Sequence, residues 1–224
     1  MSQAEKETIS VLRAAIGKKY VLTDQQSLEF YSMDVYRSFE IPIAVVQPGS
    51  VEELQEVVRV ATGLGMAIVV RGGGASYTDG YLPTTPKSIT IDTSRLNKIV
   101  EINEEDMFVT VESGVTWAEM AAALAEKNLR TPFWGPFSGL KATIGGSSSQ
   151  NSLSMGTSAY GGSPESILCY DIVLPSGEIL KTGSSSMENS SAFFRHYGPD
   201  LTGLFSGDSG ALGVKARITL RLIK

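Results

Sequence analysis

Apolar positions along this chain alternate between a helical and a strand period. Ile9, Leu12, Ala15 and Ile16 recur at three- and four-residue spacing, which predicts an amphipathic helix over residues 4–16, ended by Gly17. A short helix is expected around Asp24–Tyr31 and a strand at Ile43–Val46, after which Pro48-Gly49 turns the chain. Ser50-Val-Glu-Glu53 is a capping box opening a helix through Leu54, Val57, Val58 and Ala61, which Gly63 and Gly65 close. Met66–Val70 is a continuous apolar run, the signature of a strand buried in a parallel sheet. Residues 43–70 therefore read as one β-α-β unit.

Short strands are expected at Ser88–Asp92, Ile99–Ile102 and Phe108–Val111. Thr116-Trp-Ala-Glu119 is a second capping box, with a helix running to about Lys127. Pro132–Ser163 is rich in Gly and Ser and has little periodicity. Its Phe133, Trp134, Phe137, Ile144 and Tyr160 argue for an ordered loop shaped by main-chain contacts rather than a linker. Ile167–Leu174, the turn Pro175-Ser-Gly177 and Glu178–Lys181 read as a hairpin. The terminal strand alternates Val214, Ala216, Ile218, Leu220 and Leu222 with Lys215, Arg217, Thr219 and Arg221. No repeat is visible. The pattern is α+β, with a parallel first lobe and a mostly antiparallel second.

Composition narrows the chemistry by exclusion. A net charge of −5 and a pI near 5.0, with no basic stretch interleaved with aromatics, argue against a nucleic-acid surface. One cysteine, Cys169, lies in an apolar run and reads as a buried, inert thiol; with one histidine and no Cys/His pair, no metal site is expected. No signal peptide and no membrane span are evident, so a cytoplasmic protein is expected. His196 reads as a surface or packing residue, Trp117 as core, Trp134 as packing, and Glu104-Glu105-Asp106 as a solvated turn.

Three glycine clusters remain. Arg71-Gly-Gly-Gly-Ala-Ser76 directly follows the apolar strand, Ala142-Thr-Ile-Gly-Gly-Ser-Ser-Ser-Gln-Asn151 sits in the long loop, and Gly203-Leu-Phe-Ser-Gly-Asp-Ser-Gly-Ala-Leu-Gly-Val214 precedes the last strand. Bare backbone at such sites lets successive N–H groups converge on an anion, and hydroxyls add neutral donors. Gly72-x-Gly74 with Asp92 downstream has the outline of a dinucleotide-binding βαβ turn. However, Gly80, Pro83 and Pro86 forbid the helix whose N-terminus such a site needs, so that reading fails.

The order of these clusters, with Ile91-Asp-Thr-Ser-Arg-Leu-Asn97, Tyr160-Gly161, Asp171–Glu178 and Asp200-Leu-Thr-Gly-Leu-Phe205 between them, resembles the FAD-binding (PCMH-type) domain of the vanillyl-alcohol oxidase family. The likeness covers roughly residues 41–224 and points to the glycolate oxidase and D-lactate dehydrogenase flavin subunits; Tyr31 and Asp34 also resemble that branch. It implies a helical N-terminal segment at 1–40 and a two-lobed domain at 41–224, with lobes of about 41–93 and 94–224. In that mapping Arg71, Gly72, Gly73, Gly74, Ala75 and Ser76 form the motif that wraps the FAD pyrophosphate, and Gly80 and Tyr81 close it. Pro136, Ser138, Thr143, Gly145, Gly146, Ser149 and Leu153 line the diphosphate and flavin side, and Gly213 and Val214 offer main-chain contacts.

Departures from the pattern also carry information. Relatives that attach FAD covalently often have histidine where Ala75 stands, so a dissociable flavin is expected. Gly135 replaces an acid, Leu153-Ser154 a glycine pair and Ser209 a glutamate. The family's second domain supplies substrate-binding and acid/base residues, and no residues for such a cap, nor any catalytic residue, are found here. The expectation is therefore an FAD domain or subunit of an oxidoreductase acting on a small 2-hydroxy acid or alcohol, completed by a cap domain or a partner subunit. The alternative is a flavin-binding module without turnover of its own.

Overall fold

Ser50 and Thr116 start two helices where the sequence predicts, but only Thr116 closes a full capping box, since Glu53 Oε2 accepts from Gly49 N rather than Ser50 N. The Ser50 side chain accepts from Glu53 N at the head of α3 (Val51–Gly63). Thr116 Oγ1 accepts from Glu119 N at 3.2 Å, and Glu119 Oε2 accepts from Thr116 N at 2.9 Å, at the head of α4 (Trp117–Ala125). Thr116→Ala is expected to cost about 1 kcal/mol, lowering Tm by roughly 2–4 °C at this chain length, as read by thermal denaturation.

The computed structural model describes residues 3–224. The first sheet has the order β1-β2-β4-β3, built from β1 (Val21–Leu22), β2 (Ala44–Val46), β4 (Ser88–Asp92) and β3 (Ala67–Arg71). β2 and β3 both run parallel to β4, which lies between them, and β1 is antiparallel to β2. The apolar run before Arg71 is thus a parallel strand, but it is the sheet's edge and only half-buried. No helix forms in the crossover from β3 to β4, residues 72–87.

The N-terminal segment is part of this lobe. Ile9, Leu12 and Ile16 of α1 (Gln3–Ile16), with Val21 of β1, are buried in one core with Leu54, Val57 and Ala61 of α3. The helical period at 4–16 announces this apolar face. The two-residue β1, set by its register Val21↔Val46, is too short to show a period. α2 (Gln25–Tyr31) is capped by Asp24.

The second sheet has the order β5-β6-β9-β7-β8: β5 (Ile99–Asn103), β6 (Phe108–Glu112), β9 (Val214–Arg221), β7 (Ile167–Val173) and β8 (Ile179–Lys181), with every pairing antiparallel. One apolar face of β9 joins the lobes. Val214 and Ala216 belong to the first core, while Ile218 and Leu220 belong to a second with Val111, Trp117, Phe133 and Ile144. Trp117 and Phe133 meet edge to face at 5.2 Å. The opposite face of β9 is not uniformly solvated as its alternation suggests, because Lys215 and Thr219 are buried.

The long glycine- and serine-rich loop is ordered and contains α5 (Ile144–Ser149) and α6 (Thr157–Tyr160), and α7 (Leu201–Leu204) precedes the third glycine cluster. Trp134 does not pack into the core as expected; it is exposed, with the Arg130 guanidinium 5.3 Å from its ring. Cys169 is a buried free thiol, and His196 is exposed beside Phe194. Among the described residues, no helix is long and apolar enough to cross a membrane.

Candidate cofactor site

The first glycine cluster follows β3, the third leads into β9 and the middle one carries α5, and side-chain and main-chain bonds draw all three together. From the first, Thr78 Oγ1 donates to Gln150 Oε1 at 2.9 Å, at the end of α5. From the third, Gly207 N donates to Ser148 O and Ser209 N to Ser149 O, both at 2.8 Å. α5 forms from poor helix formers because its surroundings fix it. Thr143 caps Gly146 N, Ile144 N donates to Val115 O, and Gly145 N donates to Ser113 O. The first N–H groups of α5 are therefore taken within the protein.

The first loop differs. Among the described residues, no protein acceptor takes the main-chain N–H of Gly72, Gly73, Gly74, Ala75 or Ser76. Two of its carbonyls are held instead: the Tyr81 hydroxyl is shared between Ser76 O at 2.7 Å and Gly74 O at 3.0 Å. Gly74 sits at φ +62°, where a side chain would be strained.

The three loops enclose a cleft of about 350 Å³, within the range of small-molecule sites. Gly72, Gly73, Gly74, Ala75, Ser76, Gly80 and Tyr81 line one side of it. Pro136, Ser138, Thr143, Gly145, Gly146, Ser149 and Leu153 come from the middle cluster and its approach, and Gly213 and Val214 from the third. Arg71 is the exception among the residues singled out in the sequence. It is buried outside the lining, and its Nη1 donates to Met33 O at 2.8 Å.

Ser147, read in the sequence as a neutral donor, and Gln150 of the same cluster also line the cleft, whereas Thr93, Ser113 and Lys215 escaped the sequence reading. Ser113 Oγ is buried with no partner among the described residues. Ser147 Oγ accepts from Trp117 Nε1 at 2.7 Å, fixing α5 against α4. No signal in the sequence marks Lys215, because its partner comes from the loop: Lys215 Nζ lies 2.6 Å from Asp208 Oδ1, with both side chains almost wholly buried. Burial pushes the Lys215 ammonium below the usual lysine range, against the pull of Asp208. Burial also pushes the Tyr170 phenol up to about 12, although it bonds Ser206.

Asp92 has no role in the cleft. Its carboxylate accepts from the Tyr31 hydroxyl at 2.5 Å, Gln47 Nε2 at 2.8 Å and Ser94 N at 2.9 Å. With its negative charge already bonded, and no helix after β3, the βαβ dinucleotide reading fails here as well.

Two lobes joined by one strand, with a neutral, amide-rich cleft between glycine loops, define a protein that binds a phosphate-bearing nucleotide. The family described as FAD binding domain matches residues 42–183, and the chain belongs to it. The chain is 31% identical to the mitochondrial D-lactate dehydrogenase (cytochrome) of Arabidopsis thaliana, over 99% of this chain and 38% of that protein. It is 32% identical to a D-2-hydroxyglutarate dehydrogenase of Xanthomonas citri, over 94% of this chain and 43% of that protein. Glycolate oxidase subunit GlcD of Bacillus subtilis is 29% identical, over 86% and 40%. The crystal structure of p-cresol methylhydroxylase with substrate bound superposes with a TM-score of 0.85 at 22% identity, over all of this chain and 44% of that one. The chain thus spans less than half the length of these relatives.

The cleft fits the cofactor of this family. FAD brings a diphosphate, and the first loop offers five consecutive N–H groups without protein acceptors, beside neutral hydroxyls and no unpaired cation among the described lining residues.

Proposed function

We propose that this chain is the FAD-binding part of an oxidoreductase that takes a hydride from a small 2-hydroxy acid, and that it holds FAD without a covalent bond. The observation that carries the reading is the run of N–H groups from Gly72 to Ser76 with no acceptor among the described residues, set on the cleft wall. Such a run satisfies diphosphate oxygens without a cation. FAD held here supplies a hydride acceptor at flavin N5. The chain's own residues bind and orient it: the Gly72–Ser76 amides and the Ser76 hydroxyl hold the diphosphate. Pro136, Ser138 and Leu153 line the flavin side, and Gly213 and Val214 give main-chain contacts beside Lys215.

The substrate class comes from the relatives' names, since lactate, 2-hydroxyglutarate and glycolate are all 2-hydroxy acids. Their oxidation needs a base within hydrogen-bonding reach of the hydroxyl. No described lining residue is His, Asp or Glu, and the Lys215 ammonium is bonded to Asp208. The base and the substrate-carboxylate partners are therefore assigned to another domain or a partner subunit. The non-covalent attachment rests on Ala75, which carries no nucleophile, and on Cys169 and His196 both lying outside the lining.

The test is the visible spectrum of the purified protein before and after acid precipitation. Flavin bands are expected, with the yellow colour passing to the supernatant; colour kept in the pellet would sink the non-covalent part. With the completing domain or partner present, anaerobic D-lactate, D-2-hydroxyglutarate or glycolate is expected to bleach the flavin. A bound flavin that none of them reduces would favour a module without its own turnover.

A further inference from the structure

Arg71 ends β3 immediately before the glycine loop, yet its side chain turns away from the cleft. Nη1 donates to Met33 O at 2.8 Å and to Phe30 O at 3.3 Å. The guanidinium lies 5.0 Å from the Phe30 ring centre, 5.2 Å from that of Tyr31 and 4.8 Å from that of Tyr81. A Cβ added to Gly74 would meet its Nη2 at 2.7 Å, so the left-handed turn of the loop rests directly on this group. Tyr81, whose ring also lies against the guanidinium, is the residue whose hydroxyl holds the Gly74 and Ser76 carbonyls. The segment that supplies the two carbonyls is itself tied down. Tyr31 is bonded to Asp92, Arg37 pairs with Asp79 at 3.1 Å, and Glu40 N donates to Pro83 O at 3.0 Å.

From this geometry we infer that Arg71 is a positioning residue for FAD: it fixes the Gly72–Ser76 loop from behind by fastening it to Phe30–Met33, which lie outside the residues 42–183 that the family matches. Arg71 does not line the cleft. It removes conformational freedom from the loop before binding, so that FAD does not bear the cost of ordering five amides. A flat guanidinium suits the place, since it stacks on rings while donating in its own plane. The Phe30–Met33 strap thereby becomes part of the cofactor site at one remove. The inference rests on the reading that this loop takes the diphosphate.

The experiment measures Kd for FAD and for riboflavin, which lacks phosphate, at a temperature where all variants are folded. Arg71→Met is expected to weaken FAD at least tenfold and to leave riboflavin unchanged. Tyr81→Phe is expected to weaken FAD as well, the double variant losing less than the product of the two. Leu12→Ala, a cavity in the first core, is expected to lower Tm without moving the FAD Kd. Arg71→Lys keeps charge and length but not the flat group, and carries the same comparison should Arg71→Met fail to fold. FAD affinity within twofold of the parent, or equal losses for FAD and riboflavin, would overturn the inference. Gly73→Ala separates the two levels. Affinity lost there but kept in the Arg71 variants overturns the positioning role alone, whereas affinity kept in both overturns the loop's role in holding the diphosphate.

Discussion

Gly73→Ala is expected to raise the FAD Kd by at least about 100-fold, the largest single effect on binding that this fold presents. A Cβ at Gly73 would fall inside contact distance of the Lys141 carbonyl oxygen and carbon. The obstacle is main chain, which cannot rotate aside as a side chain would, so the first and middle loops must separate. Both loops line the cleft and touch each other here, so their spacing sets where the first-loop amides stand relative to the middle cluster. Overpacking of this kind also costs about 1–3 kcal/mol of stability, to be read from denaturant unfolding beside an FAD titration. Gly63→Ala is the control. A Cβ there meets nothing within 4 Å, and the change is expected to leave binding unaltered and add up to about 1 kcal/mol through helix propensity.

Asp208→Asn, at the buried partner of the cleft residue Lys215, is expected to be strongly destabilising. It leaves the Lys215 ammonium buried beside a neutral amide, and uncompensated buried charges of this kind cost about 3–5 kcal/mol, or roughly 6–20 °C in Tm. Asn retains an acceptor for Gly210 N, which donates to Asp208 Oδ1 at 2.9 Å, so the loss reports the charge more than the turn. Pairing Asp208→Asn with Lys215→Met removes both charges and is expected to recover most of the stability.

The pH dependence has a definite sign. Burial already holds the Lys215 pKa below its unfolded value, so the folded state binds fewer protons than the unfolded one between the two values. Stability from this group therefore rises with pH across that interval and is lowest below it. Without Asp208 the folded pKa falls further and the interval widens downward. The deficit of Asp208→Asn against the parent should shrink as pH climbs toward the ordinary lysine range. A deficit that stays constant with pH would rule this account out.

Much of the fold is legible in the sequence because local and tertiary preferences agree there. Ser50 and Thr116 mark the starts of their helices, and Leu54, Val57 and Val58 keep a helical period because they meet one core. What is hidden depends on contacts distant in sequence. Ile144–Ser149 has no helical signal, since glycine and serine are poor helix formers; Val115 and Ser113 carbonyls, far from it in the chain, set its first turn. Lys215 reads as one more polar position in an alternating strand, and only the return of the Asp208 loop buries it. The site was legible as a set of glycines but not as a layered structure. Arg71 stands within the motif and reads as a ligand residue, whereas its partners Phe30 and Met33 are some forty positions upstream.

The placement of β9 bears on how the protein is assembled during synthesis. β5 with β6 and β7 with β8 can each pair as hairpins once their own residues emerge, but the strand that joins them follows all four in the chain and occupies the centre of their sheet. Until Val214–Arg221 leaves the ribosome, β6 and β7 each carry an open edge, and the first core lacks Val214 and Ala216. The nascent chain therefore passes through a stage with two exposed strand edges, the condition under which unwanted intermolecular pairing is favoured, and a single late insertion closes both.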